Sequence, residues 1–291
     1  MQLTDTLFKL GDLPFKTRNA IRRKINKSSL FSDSITQSDS EVTFYQSAVR
    51  GVLKNNKQFS RFRRIYDYRE ILEHVDYHLG LQYLSKIQSI DPYAIQNYEN
   101  FKVNDFLGKP RLFKYPGIGK TNPTTLRYVA VAAEIQSIFK NQKIDTVVEI
   151  GAGYGGQALI LDQLSKFSKY HIFDLPEVQT LIGKYLSYFE LEGVSYPNLF
   201  EIEALQSDLV ISNYAFSELP RHLQELYLER VLTKAKNGFL LMNSGGRNST
   251  GRSDGKLTVD ELRKVLPRIQ ILAETPLTGP DNYLIIWESA S

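Results

Sequence analysis

The chain has 291 residues, 42% hydrophobic and 23% charged, the balance of a globular protein long enough for two domains or one large one. It contains no cysteine, which excludes a disulfide framework, a thiolate nucleophile and a thiolate metal site. The net charge of +4 is uneven: residues 1–125 carry 20 Lys and Arg against 12 Asp and Glu, whereas residues 126–291 carry 16 against 20.

The basic first half is either a solvated surface or a face for an anionic partner, such as a phosphate-bearing substrate, a lipid head group or nucleic acid. The start, Met1 to Asp5, shows no basic segment followed by an apolar run, so no signal peptide is expected. No stretch reaches the roughly 18 apolar residues of a spanning helix, and a cytoplasmic location is expected. Five basic residues fall between Arg18 and Lys27, and Ser28 to Ser40 reads as a loop or cap. Helices are predicted over Glu41–Lys57 and Arg61–Gln88, the second interrupted near Gly80. Ile65, Tyr68, Leu72, Val75 and Leu79 form its apolar stripe. Residues 1–123 are therefore read as a helical N-terminal subdomain or lid. Its last segment, Asp91 to Pro123, is broken by Pro92, Gly108, Pro110, Pro116, Gly117, Gly119 and Pro123 and is taken as the connection.

From Thr125 the pattern changes. A helix over Thr125–Phe139 leads to strands predicted at Thr146–Ile150, Tyr170–Asp174, Leu199–Ile202, Asp208–Ser212, Gly238–Asn243, Ile269–Glu274 and Tyr283–Glu288. Helices are predicted between them at Gln157–Leu164, Glu177–Glu190, Gln224–Ala235 and Thr258–Val265. Thr258 is the expected N-cap of the last helix and Glu261 the reciprocal capping-box partner. Alternating strands and helices predict an α/β fold with a mostly parallel sheet covered on both faces. The last two strands are joined by a turn containing Gly279-Pro280-Asp281-Asn282, with no helix, so the final strand should run antiparallel.

The strongest motif is Val147-Val148-Glu149-Ile150-Gly151-Ala152-Gly153-Tyr154-Gly155-Gly156: a buried strand, a glycine turn and a helix start. Glycines permit the turn and let a ligand approach the backbone. Asp174 lies 23 residues after Gly151, at the end of the next strand, where a carboxylate can accept both hydroxyls of a ribose. Loop and Asp174 together fit a nicotinamide dinucleotide or S-adenosylmethionine equally well. Two features favour the latter. Glu149 would repel a pyrophosphate but suits ammonium and sulfonium groups, and a terminal hairpin suits the seven-stranded methyltransferase sheet.

Phe173-Asp174-Leu175-Pro176-Glu177-Val178 resembles the Asp-Leu-Pro segment of small-molecule O-methyltransferases. Thr124-Thr125-Leu126-Arg127-Tyr128, Glu149 through Gln157, and Ser212-Asn213-Tyr214-Ala215-Phe216-Ser217-Glu218-Leu219 resemble a family of bacterial sugar O-methyltransferases. The resemblance covers about residues 105–290 and implies a Rossmann-like class I methyltransferase domain over 124–291. It implies cofactor contacts from Arg127, Glu149, Gly151, Gly153, Tyr154, Gly155, Gln157, Asp174, Leu175, Ser212 and Asn213. Arg127 would take the cofactor carboxylate, for which a guanidinium fork is well shaped. S-adenosylhomocysteine would be the product, and sugar O-methylation, as in polysaccharide biosynthesis, the activity.

A sugar hydroxyl is a weak acid, so its methylation needs a general base or a metal. The segment after the fourth strand offers Tyr214, Glu218 and His222. His222 has the unperturbed pKa best suited to base chemistry; Glu218 would serve if burial raised its pKa; Tyr214 is better suited to orienting substrate. No metal is expected: His74 and His78 share a helix face but lack the glutamate of a zinc hydrolase motif. Arg247 and Arg252, in the glycine-rich loop after the fifth strand, are candidates to clamp an anionic acceptor such as a nucleotide-sugar diphosphate. The expected partner is a small-molecule or glycan acceptor; a homodimer is a second role for the N-terminal region. Nucleic acid is disfavoured, because Ser212-Asn213-Tyr214-Ala215 lacks the paired prolines of base amino-methyltransferases. A decayed, non-enzymatic binding module is the third alternative.

Overall fold

The computed structural model describes residues 46–243, 255–266 and 268–288. The basic run 18–27, the stretch 28–40, and Arg247 and Arg252 lie outside the described residues.

Helices α1 (residues 46–53), α2 (Asn56–Phe59), α3 (Tyr66–Leu72), α4 (Tyr77–Ile90) and α5 (Pro92–Gln96) precede the sheet, with 3-10 turns at Phe62–Arg64 and Tyr98–Asp105. The helix expected over Glu41–Lys57 is broken before α2, where the Asn55 side chain accepts from Gln58 N at 2.8 Å and starts a new turn. The interruption expected near Gly80 lies instead at residues 73–76, where Asp76 caps α4 by accepting from Leu79 N at 2.8 Å. Gly80 sits inside α4 for a packing reason. A Cβ there would stand 2.1 Å from Tyr115 Oη and 3.0 Å from Pro123 Cβ. The segment expected to be irregular carries α5, a 3-10 turn and a small hairpin, β1 (Phe113–Tyr115) against β2 (Gly119–Thr121).

Helix α6 (Pro123–Ile138) opens on Pro123 and is capped by the Asn122 side chain, which accepts from Thr124 N at 2.8 Å. Every residue from Pro123 to Ala133 is buried. The helix is enclosed between α4 and α7 (Gly156–Leu164), so polar residues on it are buried too.

Seven strands follow: β3 (Thr146–Ile150), β4 (Lys169–Phe173), β5 (Val194–Ser195), β6 (Ser207–Asn213), β7 (Ala235–Met242), β8 (Gln270–Ala273) and β9 (Tyr283–Glu288). Their order across the sheet is β5-β4-β3-β6-β7-β9-β8. β9 runs opposite to the other six strands of this sheet, pairing antiparallel with both β7 and β8, so the expected reversal of the last strand is present. Helices α8 (Pro176–Leu186), α9 (Ala215–Glu218), α10 (Arg221–Arg230) and α11 (Val259–Arg263) complete the Rossmann-like α/β fold. The Thr258–Glu261 capping box forms as predicted. Leu199–Ile202 is not a strand. Asn198 folds it into a turn by accepting from Phe200 N at 3.0 Å, and the edge strand is the earlier pair Val194–Ser195. The helix expected through Ala235 ends at Arg230, and Ala235 already pairs with Ser207 in the sheet.

Strand alternation divides the core. Val147, Leu209 and Ile211 face the cluster that holds α6, α7, α8 and the buried residues of the N-terminal helices, whereas Val148, Ile150, Val210 and Trp287 face α10 and α11. Residues before and after Pro123 therefore share one core. Strand order reverses between β3 and β6, and ligands of open α/β sheets bind at the carboxyl ends of strands flanking such a point.

Candidate functional site

At the end of β3 the chain passes through Gly151 (φ 76°), Gly153 (φ 64°) and Gly155 (φ 90°), all in the left-handed region that favours glycine. Gly151 is doubly constrained. A Cβ there would lie 2.1 Å from Ala215 Cβ, so the loop and the residues following β6 touch. Ser212 ties the same two segments together: its hydroxyl donates to Ile150 O at 3.0 Å and accepts from Phe216 N at 3.0 Å.

Tyr154 turns under the loop into the core. Its ring packs edge-on against Tyr128 and Tyr185, and its hydroxyl accepts from Asn104 Nδ2 at 3.1 Å. Gln157, in the first turn of α7, donates to Tyr128 O at 3.1 Å, and its other amide atom faces Asn213 Nδ2 at 3.5 Å. Asn213 Oδ1 is buried without a partner among the described residues.

Three ionisable side chains surround the loop. Glu149 alternates with Val147 and Val148 and thus points to the face covered by α6; it is 1% exposed. Burial pushes its carboxyl up to about 8, and the Asp174 carboxylate adds to this; the Tyr170 hydroxyl, donating at 2.8 Å, and Arg127 oppose it. Asp174, just past β4, accepts from Leu175 N at 2.8 Å and from the Ala152 and Gly153 amides of the loop, yet burial still raises its carboxyl to about 7. Arg127, 6% exposed in the enclosed α6, has its guanidinium carbon 5.2 Å from the Tyr128 ring centre, and its Nε has no partner among the described residues. A buried unpartnered guanidinium nitrogen is costly unless something else meets it.

This donor set fits S-adenosylmethionine. Arg127 could take a carboxylate, Glu149 an ammonium, and Asp174, at the tip of the neighbouring strand, ribose hydroxyls.

The acceptor-side candidates separate. Tyr214 follows β6 in a left-handed conformation (φ 74°) and is buried. Its hydroxyl bonds Glu274 and lies 3.1 Å from Thr278 Oγ1. Glu218 is exposed and accepts from Asn243 Nδ2 at 2.7 Å. His222 is exposed on α10. Among the described residues, no group of three or more His, Cys, Asp or Glu is arranged for a metal ion, and no helix is long and apolar enough to cross a membrane.

Sequence reasoning missed Tyr83, Glu274 and Thr278. Glu274 carries the signal that singled out Glu149 and Asp174, an acid at a strand end. Because β8 runs the same way as β7, Glu274 leaves the sheet at the edge that carries the glycine loop.

No model of a known protein family matches the chain, and no curated protein matches it. Among solved structures it resembles the N-terminal domain of EvdMO1 with S-adenosylhomocysteine bound, at 14% identity over 69% of this chain and 98% of that one, TM-score 0.44. It also resembles an S-adenosylmethionine-dependent methyltransferase from Clostridium acetobutylicum, at 11% identity over 57% and 92%, TM-score 0.43. A third likeness is to the TrmK protein of M. capricolum in complex with S-adenosylhomocysteine, at 17% identity over 55% and 66%, TM-score 0.36.

Proposed function

We infer that the protein is an S-adenosylmethionine-dependent O-methyltransferase whose acceptor is a hydroxyl of a sugar or of a glycosylated or nucleotide-linked small molecule. The observation that carries this reading is the buried Arg127, with its unpartnered Nε, near the buried Glu149 beside the glycine loop. A guanidinium and a carboxyl held in that relation suit the zwitterionic amino-acid end of the donor, whose ammonium would favour the ionised form of Glu149. The sugar class rests on the resemblance of the segments at Thr124, Glu149 and Ser212.

When bound, the cofactor supplies an electrophilic methyl carbon on a sulfonium. This chain's residues bind and orient it. Arg127 offers its fork to the carboxylate, Glu149 accepts from the ammonium, and Asp174 accepts from the ribose hydroxyls. Tyr214, buried at the end of β6, is the group best placed to orient an acceptor; Glu218 and His222 stand in solvent. Of the segment 1–123, the described helices α1 to α5 are read as the lid over this site, since Leu72 of α3 lies against the glycine loop, 3.3 Å from where a Gly153 Cβ would stand.

Calorimetric titration with S-adenosylhomocysteine tests the reading directly, followed by transfer of a labelled methyl group to a panel of sugars and nucleotide sugars. Binding with transfer to a sugar hydroxyl is the expected result. A folded protein that binds no S-adenosylhomocysteine would overturn it. A nucleic-acid acceptor is the second reading, favoured by exposed Arg61, Arg64, Lys109, Lys114 and Lys120; a steep salt dependence of RNA binding would support it.

A further inference from the structure

Tyr214 is held by a set of contacts that the cofactor reading leaves unexplained. The loop after β8 folds over the carboxyl edge of the sheet, and its Glu274 carboxylate is 5% exposed. Glu274 accepts the Tyr214 hydroxyl, Thr278 N at 2.9 Å and Thr278 Oγ1 at 2.8 Å. Thr278 Oγ1 in turn accepts from Asn282 Nδ2 at 3.1 Å. Lys86 of α4 donates to Thr275 O and pairs with Glu134 of α6 at 2.6 Å, which fastens the loop to both helices. Tyr83, one turn before Lys86, is hydrogen-bonded to the Tyr214 hydroxyl, and the Arg127 charge on α6 acts on it as well.

A phenol has one hydrogen. With that hydrogen committed to Glu274, the Tyr214 oxygen offers only lone pairs to any other partner. Its neighbours place this accepting oxygen on the cofactor's side of the network: Arg127, the carboxylate-binding residue, lies beside it, and Ala215, the next residue, touches Gly151.

We propose that Glu274 is a positioning residue that fixes Tyr214 as a hydrogen-bond acceptor at the methyl-transfer position, so that the site takes acceptors presenting a proton-donating group, a hydroxyl or an ammonium. The inference rests on the reading of the site as a methyl-donor pocket. Glu274 itself touches neither partner; it acts by holding the Tyr214 hydrogen away from them.

Two ligands that need no knowledge of the acceptor test this. S-adenosylhomocysteine has a bare thioether at the transfer position, whereas sinefungin carries an ammonium there. Both are titrated calorimetrically into the full chain, its Glu274→Gln variant and its Tyr214→Phe variant, each checked for a cooperative thermal transition. Either variant should weaken sinefungin about tenfold while S-adenosylhomocysteine changes less than about twofold, the loss of one charge-assisted hydrogen bond. If Glu274→Gln does not fold, Tyr214→Phe gives the same comparison. Equal weakening of both ligands would make the network merely structural and overturn the proposal, as would unchanged sinefungin affinity. If the unaltered protein binds neither ligand, the methyl-donor reading falls and this inference with it.

Discussion

Glu149 and Asp174 are acids that the fold makes reluctant to ionise. Glu149 is raised from 4.5 to about 8 and Asp174 from 3.8 to about 7, in both cases first by burial. The folded chain therefore holds protons that the unfolded chain has released. Their stabilising contribution is complete below the unfolded values and is lost as pH rises through about 7 to about 8. The free protein should melt at progressively lower temperature across that window, and Glu149→Gln should flatten the profile. A ligand ammonium on Glu149 needs the ionised form, so S-adenosylhomocysteine affinity should move the opposite way, strengthening roughly fiftyfold from about pH 6 to about pH 8. Calorimetry across that range checks it, and an affinity independent of pH would contradict it. Asp174→Ala removes the ribose acceptor and should weaken S-adenosylhomocysteine about a hundredfold; unchanged affinity would mean that the ribose sits elsewhere.

Secondary-structure elements are placed here by close approach as much as by propensity. Gly80 shows it. Alanine is favoured over glycine inside a helix by about 1 kcal/mol, yet a Cβ at Gly80 would run into the buried Tyr115 ring and Pro123. Gly80→Ala should thus destabilise the protein by about 1–3 kcal/mol in urea unfolding, the usual range for overpacking. A stabilised variant would show that α4 can slide on the hairpin. The glycine signal was visible in the chain, but a glycine that breaks a helix and one that admits a neighbouring ring look alike until the neighbour is known. Asn198 misled in the same manner: Leu199–Ile202 is apolar enough for a strand, and one side-chain amide bends it into a turn.

Across the whole molecule, the buried Arg63 joins the helices that precede Pro123 to the glycine-loop half. It pairs with Glu73, donates to Asn104 O and, at 3.1 Å, to Asn122 Oδ1, and its charge stands 4.7 Å from the Tyr154 ring centre. Asp105 anchors the same junction by accepting from Thr121 Oγ1 and Thr125 Oγ1, both at 2.7 Å. Removing one partner of a buried pair leaves the other charge uncompensated, at a cost of about 3–5 kcal/mol. Arg63→Met should show that loss in chemical denaturation, and Arg63→Met with Glu73→Leu should recover part of it. No change in the single variant would mean that the pair contributes nothing to the junction.

The glycine turn, the acids at the ends of β3 and β4, the capping box at Thr258 and the reversed last strand were all legible in the chain. Each depends on residues near one another in sequence: a turn needs glycine where φ is positive, a strand end exposes its last side chain, and a short connection forces antiparallel pairing. Tertiary structure decided what surrounds them. The enclosure of α6 buries Arg127 with no partner for its Nε among the described residues, the sheet direction brings Glu274 of β8's loop to Tyr214, and Glu218 and His222 are left exposed after β6. Burial and long-range contact are properties of packing, so the glycine turn and the acids beside it could be read locally and the groups packed around them could not.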